Sequence, residues 1–258
     1  MFDLTGKTAL ITGGSRGLGL QIATGFLSQG ARVILTARKA GELEQAKAEL
    51  LPAANHDAER VLTRVSDLQQ LDGIPAFVEQ LLADVGPVDI LVNNAGTSWA
   101  APMEEHPLDG WNKVMTLNVT APFVLTREIG RQSMIPRRYG KIINIASIGG
   151  LGGNRPELDM STISYNTSKA AMINFTKALA SEWGKYDVNV NALCPGFFYS
   201  KLSARLLDSI SDKVLPTVPL GRFGGESDLQ GPAVFLASDA ARHVTGTALA
   251  VDGGVTCS

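Results

Sequence analysis

Tyr165 and Lys169 stand four residues apart in YNTSK, at the start of a stretch with helical character, so both project from one face. A phenol with a pKa near ~10 is a poor acid–base group at neutral pH. An ammonium ~4 Å away at an effective dielectric of ~20 is worth on the order of 4 kcal/mol, about 3 pK units before desolvation offsets part of it. Such a tyrosine could protonate a carbonyl oxygen, or act as base in the reverse oxidation. Ser147 closes an apolar run 18 residues before Tyr165 and could donate a hydrogen bond to the same oxygen as charge develops there. A Tyr–Lys pair at this spacing also arises by chance, so the surroundings must decide.

A second constellation lies near the start of the chain. TGGSRGLG, Thr12 to Gly19, places Gly13, Gly17 and Gly19 in a G-x3-G-x-G spacing around Ser15, Arg16 and Leu18. A glycine-permitted turn before a helix lets backbone approach a pyrophosphate at the helix N-terminus. The second apolar run ends TARK, with Ala37 where a ribose-binding acid is expected and Arg38 beside it. Arg16 and Arg38 without a carboxylate suit a 2′-phosphate, which favours NADPH and leaves NADH possible. The competing reading is two solvated surface arginines. Asp67, with Leu68 beside it, could hold an adenine amino group or cap a helix. NNAG, with Asn94, Ala95 and Gly96, either braces the sheet edge alongside the cofactor or forms a turn.

The elements that must carry these groups alternate along the chain. KTALIT (7–12), ARVILTA (31–37), RVLTRVS (60–66), VDILVNN (88–94), GKIINIAS (140–147), VNVNALC (188–194) and ALAVDG (248–253) read as strands. Several are continuous apolar runs, the pattern of strands covered on both faces. Helices are expected over 17–29, roughly 107–134, 164–184 and 226–238, the last opening with Glu226 and Asp228. This alternation predicts an α/β fold: a Rossmann-like, doubly wound sheet of about seven parallel strands with helices on both faces, in a single domain over 1–258. The stretch 197–225 has no clear strand partner and reads as an irregular substrate loop.

Composition narrows the class. Apolar residues make up 45% and charged residues 19%, and the net charge of −2 leaves no footprint for nucleic acid or an anionic membrane. Cys194 and Cys257 form no disulfide framework and read as free thiols, and the three histidines show no metal-ligand spacing. The opening MFDLTGKTALITGG carries Asp3 and a glycine pair where a signal peptide needs an apolar core, so a soluble, cytoplasmic protein is expected.

TGGSRGLG, NNAG, a serine closing the fifth strand, YNTSK and CPGFF occur in the order and places of the short-chain dehydrogenase/reductase family. The chain resembles its 3-oxoacyl-thioester reductase and gluconate-dehydrogenase-like branches over essentially its whole length, down to the terminal VDGG. The resemblance implies that Ser147 polarises the carbonyl and Tyr165 exchanges the proton. It implies too that Lys169 holds the nicotinamide ribose while lowering the tyrosine pKa. Asn118 in TLNVT matches an asparagine supporting a water relay behind the lysine; otherwise it is a buried amide in a helix, where Asn is a poor former. Arg16 matches the basic residue of the NADPH-preferring subset. Pro195, Gly196 and Phe198 fall in the segment flanking the nicotinamide, and Ser200 stands where a threonine often contacts its carboxamide. Thr245 and Gly246 match a structural turn. A homotetramer is implied by the resemblance alone.

The sequence departs from that family between Ser147 and Tyr165, where the nearest branches have a spacing closer to a dozen. The extra residues fall in NRPELDMST (154–162), either reshaping the substrate cleft or forming an inconsequential bulge. Gly149, Gly150, Gly152 and Gly153 precede them. Phe197 and Tyr199 are candidate pocket walls, as is Trp99, for which core packing is the alternative. Arg137, Arg138 and Lys141 form a basic cluster that could equally be a solvated turn. An apolar, aromatic wall favours NADPH-dependent reduction of a ketone on an apolar or acyl skeleton. A polyol or gluconate-type dehydrogenase is the alternative within the same chemistry. A dinucleotide-binding regulator that has lost the chemistry is the alternative from another class, and the intact Ser147, Tyr165 and Lys169 count against it.

Overall fold

Residue alternation within the apolar runs builds the core. The computed structural model describes residues 1–154, 158–199 and 204–257. Seven parallel strands form one sheet in the order β3-β2-β1-β4-β5-β6-β7. They are β1 (Thr8–Thr12), β2 (Arg32–Ala37), β3 (Val61–Val65), β4 (Ile90–Asn93), β5 (Gly140–Ile145), β6 (Val188–Pro195) and β7 (Ala248–Val251). Ala9, Ile11, Val33, Leu35, Ile90, Val92, Ile143 and Ile145 point to one face. There they bury against α1 (Gly17–Ser28), α2 (Ala40–Leu50) and α9 (Gln230–Ala237) through side chains such as Ile22, Phe26, Leu43 and Leu236. The intervening Leu10, Ile34, Leu91, Ile142 and Val190 point to the other face. These meet α3 (Ile74–Val85), α5 (Ala121–Ile129) and α7 (Ile163–Trp183) through Val78, Leu81, Leu125, Ile129 and Trp183. Coverage on both faces is why the runs are continuously apolar.

The predicted fold class is the observed one, and all seven strands begin and end within two residues of expectation. The long helix expected at 107–134 is α4 (Leu108–Met115), α5 and α6 (Ile135–Arg137), joined through wider π turns at Thr116–Thr120 and Gly130–Met134. Two expectations need correction. The last helix starts at Gln230, so Glu226 and Asp228 precede it. Asp228 instead takes the Gly225 N–H at 2.7 Å and pairs with Arg222, which holds its carboxyl down to about 2. The stretch 197–225 is also not irregular throughout, because it contains α8 (Ala204–Val214). Leu207, Ile210 and Val214 form the buried stripe of that helix, at a spacing that turns one face inward.

The strand order reverses between β1 and β4, opening a crevice at their carboxyl ends. The basic cluster lies at the opposite edge of the sheet. Arg137 pairs with Asp89 at 2.8 Å and Lys141 donates to Asn189 at 2.6 Å, so both brace strand starts. Thr245 accepts from Val190 N–H and Gly246 donates to Val190 C=O, tying the turn before β7 to β6. Cys194 and Cys257 are both free thiols. No helix among the described residues is long and apolar enough to cross a membrane.

Candidate active site

The crevice is the mouth of a cleft of about 900 Å³ running along the carboxyl edge of the sheet. Its floor begins where β1 turns into α1. Gly13 adopts φ +62°, a conformation that disfavours any side chain, and a Cβ there would lie 3.0 Å from Ala95 Cα. A Cβ at Gly19 would sit 2.6 Å from the Gly13 carbonyl oxygen, so glycine is what lets α1 seat against the turn. Thr12 Oγ1 accepts the N–H groups of Asn94 and Ala95, both at 2.9 Å. Asn94 Nδ2 donates to the carbonyls of Thr12 at 2.8 Å and Gly13 at 3.1 Å. Asn93 spans from β4 to Asn144 on β5 and Thr126 on α5. NNAG therefore braces the edge. α1 starts after Arg16 with no side-chain cap, leaving its first N–H groups toward the cleft. A glycine cradle beneath an uncapped helix N-terminus fits a dinucleotide pyrophosphate.

One end of the cleft is lined by Arg16, Thr36, Arg38, Lys39, Glu42, Asp67 and Leu68. Thr36 Oγ1 is buried there without a protein hydrogen-bond partner, a further fit for a ligand with polar groups. Asp67 accepts the Gln69 N–H at 3.1 Å, so it closes a local turn as well as lining the cleft. Glu42 overturns the expectation of a carboxylate-free cation pair. Its oxygens lie 3.1 and 3.3 Å from Arg16, and Lys39 reaches it at 3.1 Å. Arg38 makes no ion pair among the described residues.

Midway along, Ser147, Tyr165 and Lys169 converge from the end of β5 and the first turns of α7. Ser147 hydrogen-bonds Tyr165 in the sense that favours the phenolate, and its Oγ also accepts the Gly149 N–H at 3.1 Å. Lys169 Nζ donates to Ile145 C=O at 2.7 Å and lies 5.5 Å from the centre of the Tyr165 ring. Here the expected electrostatics are reversed. Burial raises the Tyr165 pKa and outweighs the opposing hydrogen bond from Ser147. Burial also pulls Lys169 down to about 8, since neither charge is favoured out of water. Behind them, the buried Cys194 thiol is pushed up to about 11 by burial and stays neutral.

Asn118 sits on the π turn Thr116–Thr120, which widens the helix where its amide is needed. Nδ2 donates to Thr97 C=O and Ser168 Oγ, both at 2.9 Å, and Oδ1 accepts the Thr97 N–H at 2.8 Å. Ser168 in turn donates to Tyr165 C=O at 2.7 Å. The side chain thus ties the segment after NNAG to the helix that carries Tyr165.

The lysine makes a stability prediction. Its ordinary pKa is 10.5, so the unfolded chain holds the proton more tightly than the folded one. The burial cost is therefore full below about pH 8 and is relieved as pH rises toward 10.5. Lys169→Met should be more stable than wild type at pH 7 by about 1–3 kcal/mol, less whatever the lost bond to Ile145 contributes. Urea unfolding at pH 7 and 9.5 should show that advantage shrinking with pH; an advantage that grows would contradict the assignment.

Beyond the Ser–Tyr–Lys group, the cleft is walled by Ile148, Leu151, Leu158, Met160, Phe197, Leu207 and Val255, with Pro195, Gly196 and Phe198 alongside. Leu158, a buried member of the 154–162 insertion, packs with Ile210, Val214 and Val218. Leu158 and Met160 therefore reach into the wall rather than bulging outward. The two glycine pairs preceding the insertion differ. A Cβ at Gly150 would meet the α7 backbone at 2.5 Å, whereas Gly152 and Gly153 face open space. Asn154 and Asn166 bond at 2.8 Å, pinning the insertion to the turn of α7 that bears Tyr165.

Most predicted site residues line this one cleft; some do not. Trp99 lies outside it, its indole packed on Gly110 and facing Lys113. Tyr199 turns to Phe223, ring centres 5.2 Å apart. Gly19 and Asn118 support the cleft without lining it, and Ser200 lies outside the described residues. Glu42, Lys39, Asn166 and Val255 line it without having been singled out in the sequence, whereas Asn154 and Leu158 come from the insertion and Leu207 from the substrate loop, both expected near the cleft. The period of α8 could have flagged Leu207. Nothing local marks Val255, which follows the last strand.

Residues 7–210 match the short chain dehydrogenase family. The gluconate 5-dehydrogenase of Gluconobacter oxydans is 38% identical over 263 residues, covering 100% of this chain and 98% of that protein. The 3-oxoacyl-(acyl-carrier-protein) reductase of Chlamydia trachomatis is 36% identical over 252 residues, covering 98% of each. A solved gluconate 5-dehydrogenase from Burkholderia cenocepacia, in complex with NADP and tartrate, superposes with a TM-score of 0.90 at 34% identity. That match covers 100% of this chain and 98% of the other.

Proposed function

The chain belongs to the short-chain dehydrogenase family and is an NAD(P)-dependent oxidoreductase acting on CH–OH and C=O groups; from that premise we propose that it reduces a ketone on an apolar skeleton with NADPH. The observation carrying the substrate class is the wall beyond the Ser–Tyr–Lys group. Lys169 is the only charged side chain among the described residues lining that end. Ile148, Leu151, Leu158, Met160, Leu207 and Val255 offer an acyl or alkyl chain a surface to bury, worth roughly 25 cal/mol per Å².

In this reading the turn Gly13–Gly19 and the α1 N-terminus hold the pyrophosphate, Asp67 and Leu68 border the adenine, and Arg38 with Arg16 faces the 2′-phosphate. Asn94, Ala95 and Gly96 run alongside, Tyr165 and Lys169 hold the nicotinamide ribose, and Pro195, Gly196 and Phe198 border the nicotinamide. A nicotinamide held there would supply the hydride for the carbonyl carbon. Tyr165 gives its phenolic proton to the carbonyl oxygen, and Ser147 donates a hydrogen bond to that oxygen as negative charge gathers on it. The raised Tyr165 pKa keeps the phenol protonated at neutral pH, the form reduction requires. Lys169, with a pKa of about 8, supplies positive charge below that pH and stabilises the phenolate left behind.

A gluconate-type reading is supported as well. The relatives named gluconate 5-dehydrogenase favour it, and Asn154, Thr162 and Asn166 line the cleft with uncharged groups able to bind hydroxyls. Oxidation of NADPH followed by absorbance over 3-oxoacyl thioesters, diketones and keto-sugars decides between them. Higher kcat/KM for the acyl thioesters or diketones is the expected result. Higher kcat/KM for a ketogluconate would replace it with the sugar-acid reading.

A further inference from the structure

Within the first turn of α2, Glu42 occupies the middle of the only group of cations among the described residues lining the cleft away from Lys169. Arg16 Nη1 lies 3.1 and 3.3 Å from its two oxygens, and Lys39 Nζ lies 3.1 Å from one of them. Its side chain is 28% exposed, so the carboxylate is partly withdrawn from water beside the cleft. We infer that Glu42 is a cofactor-discriminating residue, whose carboxylate competes with a 2′-phosphate for Arg16 and Lys39 and so holds NADPH preference below what the cations alone would give. This rests on the reading that a 2′-phosphate binds at this end.

The chemistry is a competition between two anions for the same donors. A phosphate monoester brings about −1.5 to −2 charges into a site that already holds a carboxylate. It must draw Arg16 and Lys39 away from Glu42 and then sit beside the negative charge it has displaced. A 2′-hydroxyl brings no charge and needs an acceptor instead. Among the described residues only Asp67 and Glu42 line the cleft as carboxylates, and a carboxylate that already binds a donor can still accept from a hydroxyl. The same group therefore penalises phosphate and accommodates hydroxyl. Because these pairs are partly exposed, the effect is a modest factor rather than orders of magnitude.

Calorimetric titration with 2′,5′-ADP and 5′-AMP separates the two charges without any turnover. In Glu42→Gln, 2′,5′-ADP should bind about 3–10-fold tighter while 5′-AMP changes by less than about 2-fold. Glu42→Lys should widen the ratio further. The 5′-AMP titration serves as a folding control, since a misfolded variant would bind neither nucleotide. A ratio that is unchanged or smaller in both variants overturns the role of Glu42. If wild type binds the two nucleotides equally and neither variant separates them, the 2′-phosphate reading itself fails.

Discussion

Replacing Tyr165 with phenylalanine is expected to lower kcat by about 10³-fold or more while NADPH still binds within a few-fold of wild type. The substitution removes one oxygen and keeps the ring, so the packing at the start of α7 stays in place. What it removes is the group proposed to transfer the proton. Ser147 can still donate a hydrogen bond to the substrate oxygen, but an aliphatic hydroxyl is a far weaker acid than a phenol and does not replace it as proton donor. Without a proton donor, hydride transfer would leave an alkoxide in a buried site, where unpaired charge is costly. Steady-state turnover and quenching of NADPH fluorescence on binding measure the two effects separately. Turnover that survives in the phenylalanine variant would sink the mechanism, and loss of both turnover and binding would make Tyr165 a structural residue.

Arg38→Asp should shift cofactor preference, the ratio of kcat/KM for NADPH over NADH, by about 10²-fold toward NADH. Arg16 and Lys39 are already paired with Glu42, which leaves Arg38 as the cation at this end with no ion pair among the described residues. It is therefore the donor a 2′-phosphate meets without displacing a partner. A hydrogen bond to a charged group contributes roughly 1.5–3 kcal/mol, about 10–100-fold in affinity. The aspartate adds repulsion toward phosphate and offers an acceptor to a 2′-hydroxyl. A ratio matching wild type would show that the 2′-phosphate does not bind beside Arg38. This substitution and those at Glu42 act on the same anion from opposite signs of charge, so their effects on the ratio should run in opposite directions.

How far these properties can be read from the chain depends on whether their cause is local. Each strand announces itself because its alternate residues meet helices on opposite faces, which forces Leu10 and Ile11, or Ile34 and Leu35, to be apolar in succession. α8 escaped notice even though Leu207, Ile210 and Val214 repeat at helical spacing, because it sits in a connection with no strand to anchor it. Tyr165 and Lys169 stand out because i, i+4 is a neighbour relation along a helix. Their partner Ser147 is a neighbour only through the position of β5 beside α7.

The sequence alone determined the parallel sheet and the glycine turn, which follow from periodicity and backbone freedom, and it marked the proposed trio of Ser147, Tyr165 and Lys169 through the order of its motifs. The tertiary structure decided how those groups behave. Burial, set by residues distant in the chain, raises the Tyr165 pKa and lowers that of Lys169, against the sign expected from the pair in isolation. It also brought Glu42 to Arg16 across 26 positions, supplied Val255 and Leu158 to one wall, and turned Trp99 and Tyr199 away. Distance through space and access to water fix charge state and pocket shape, and neither is a property of neighbouring letters.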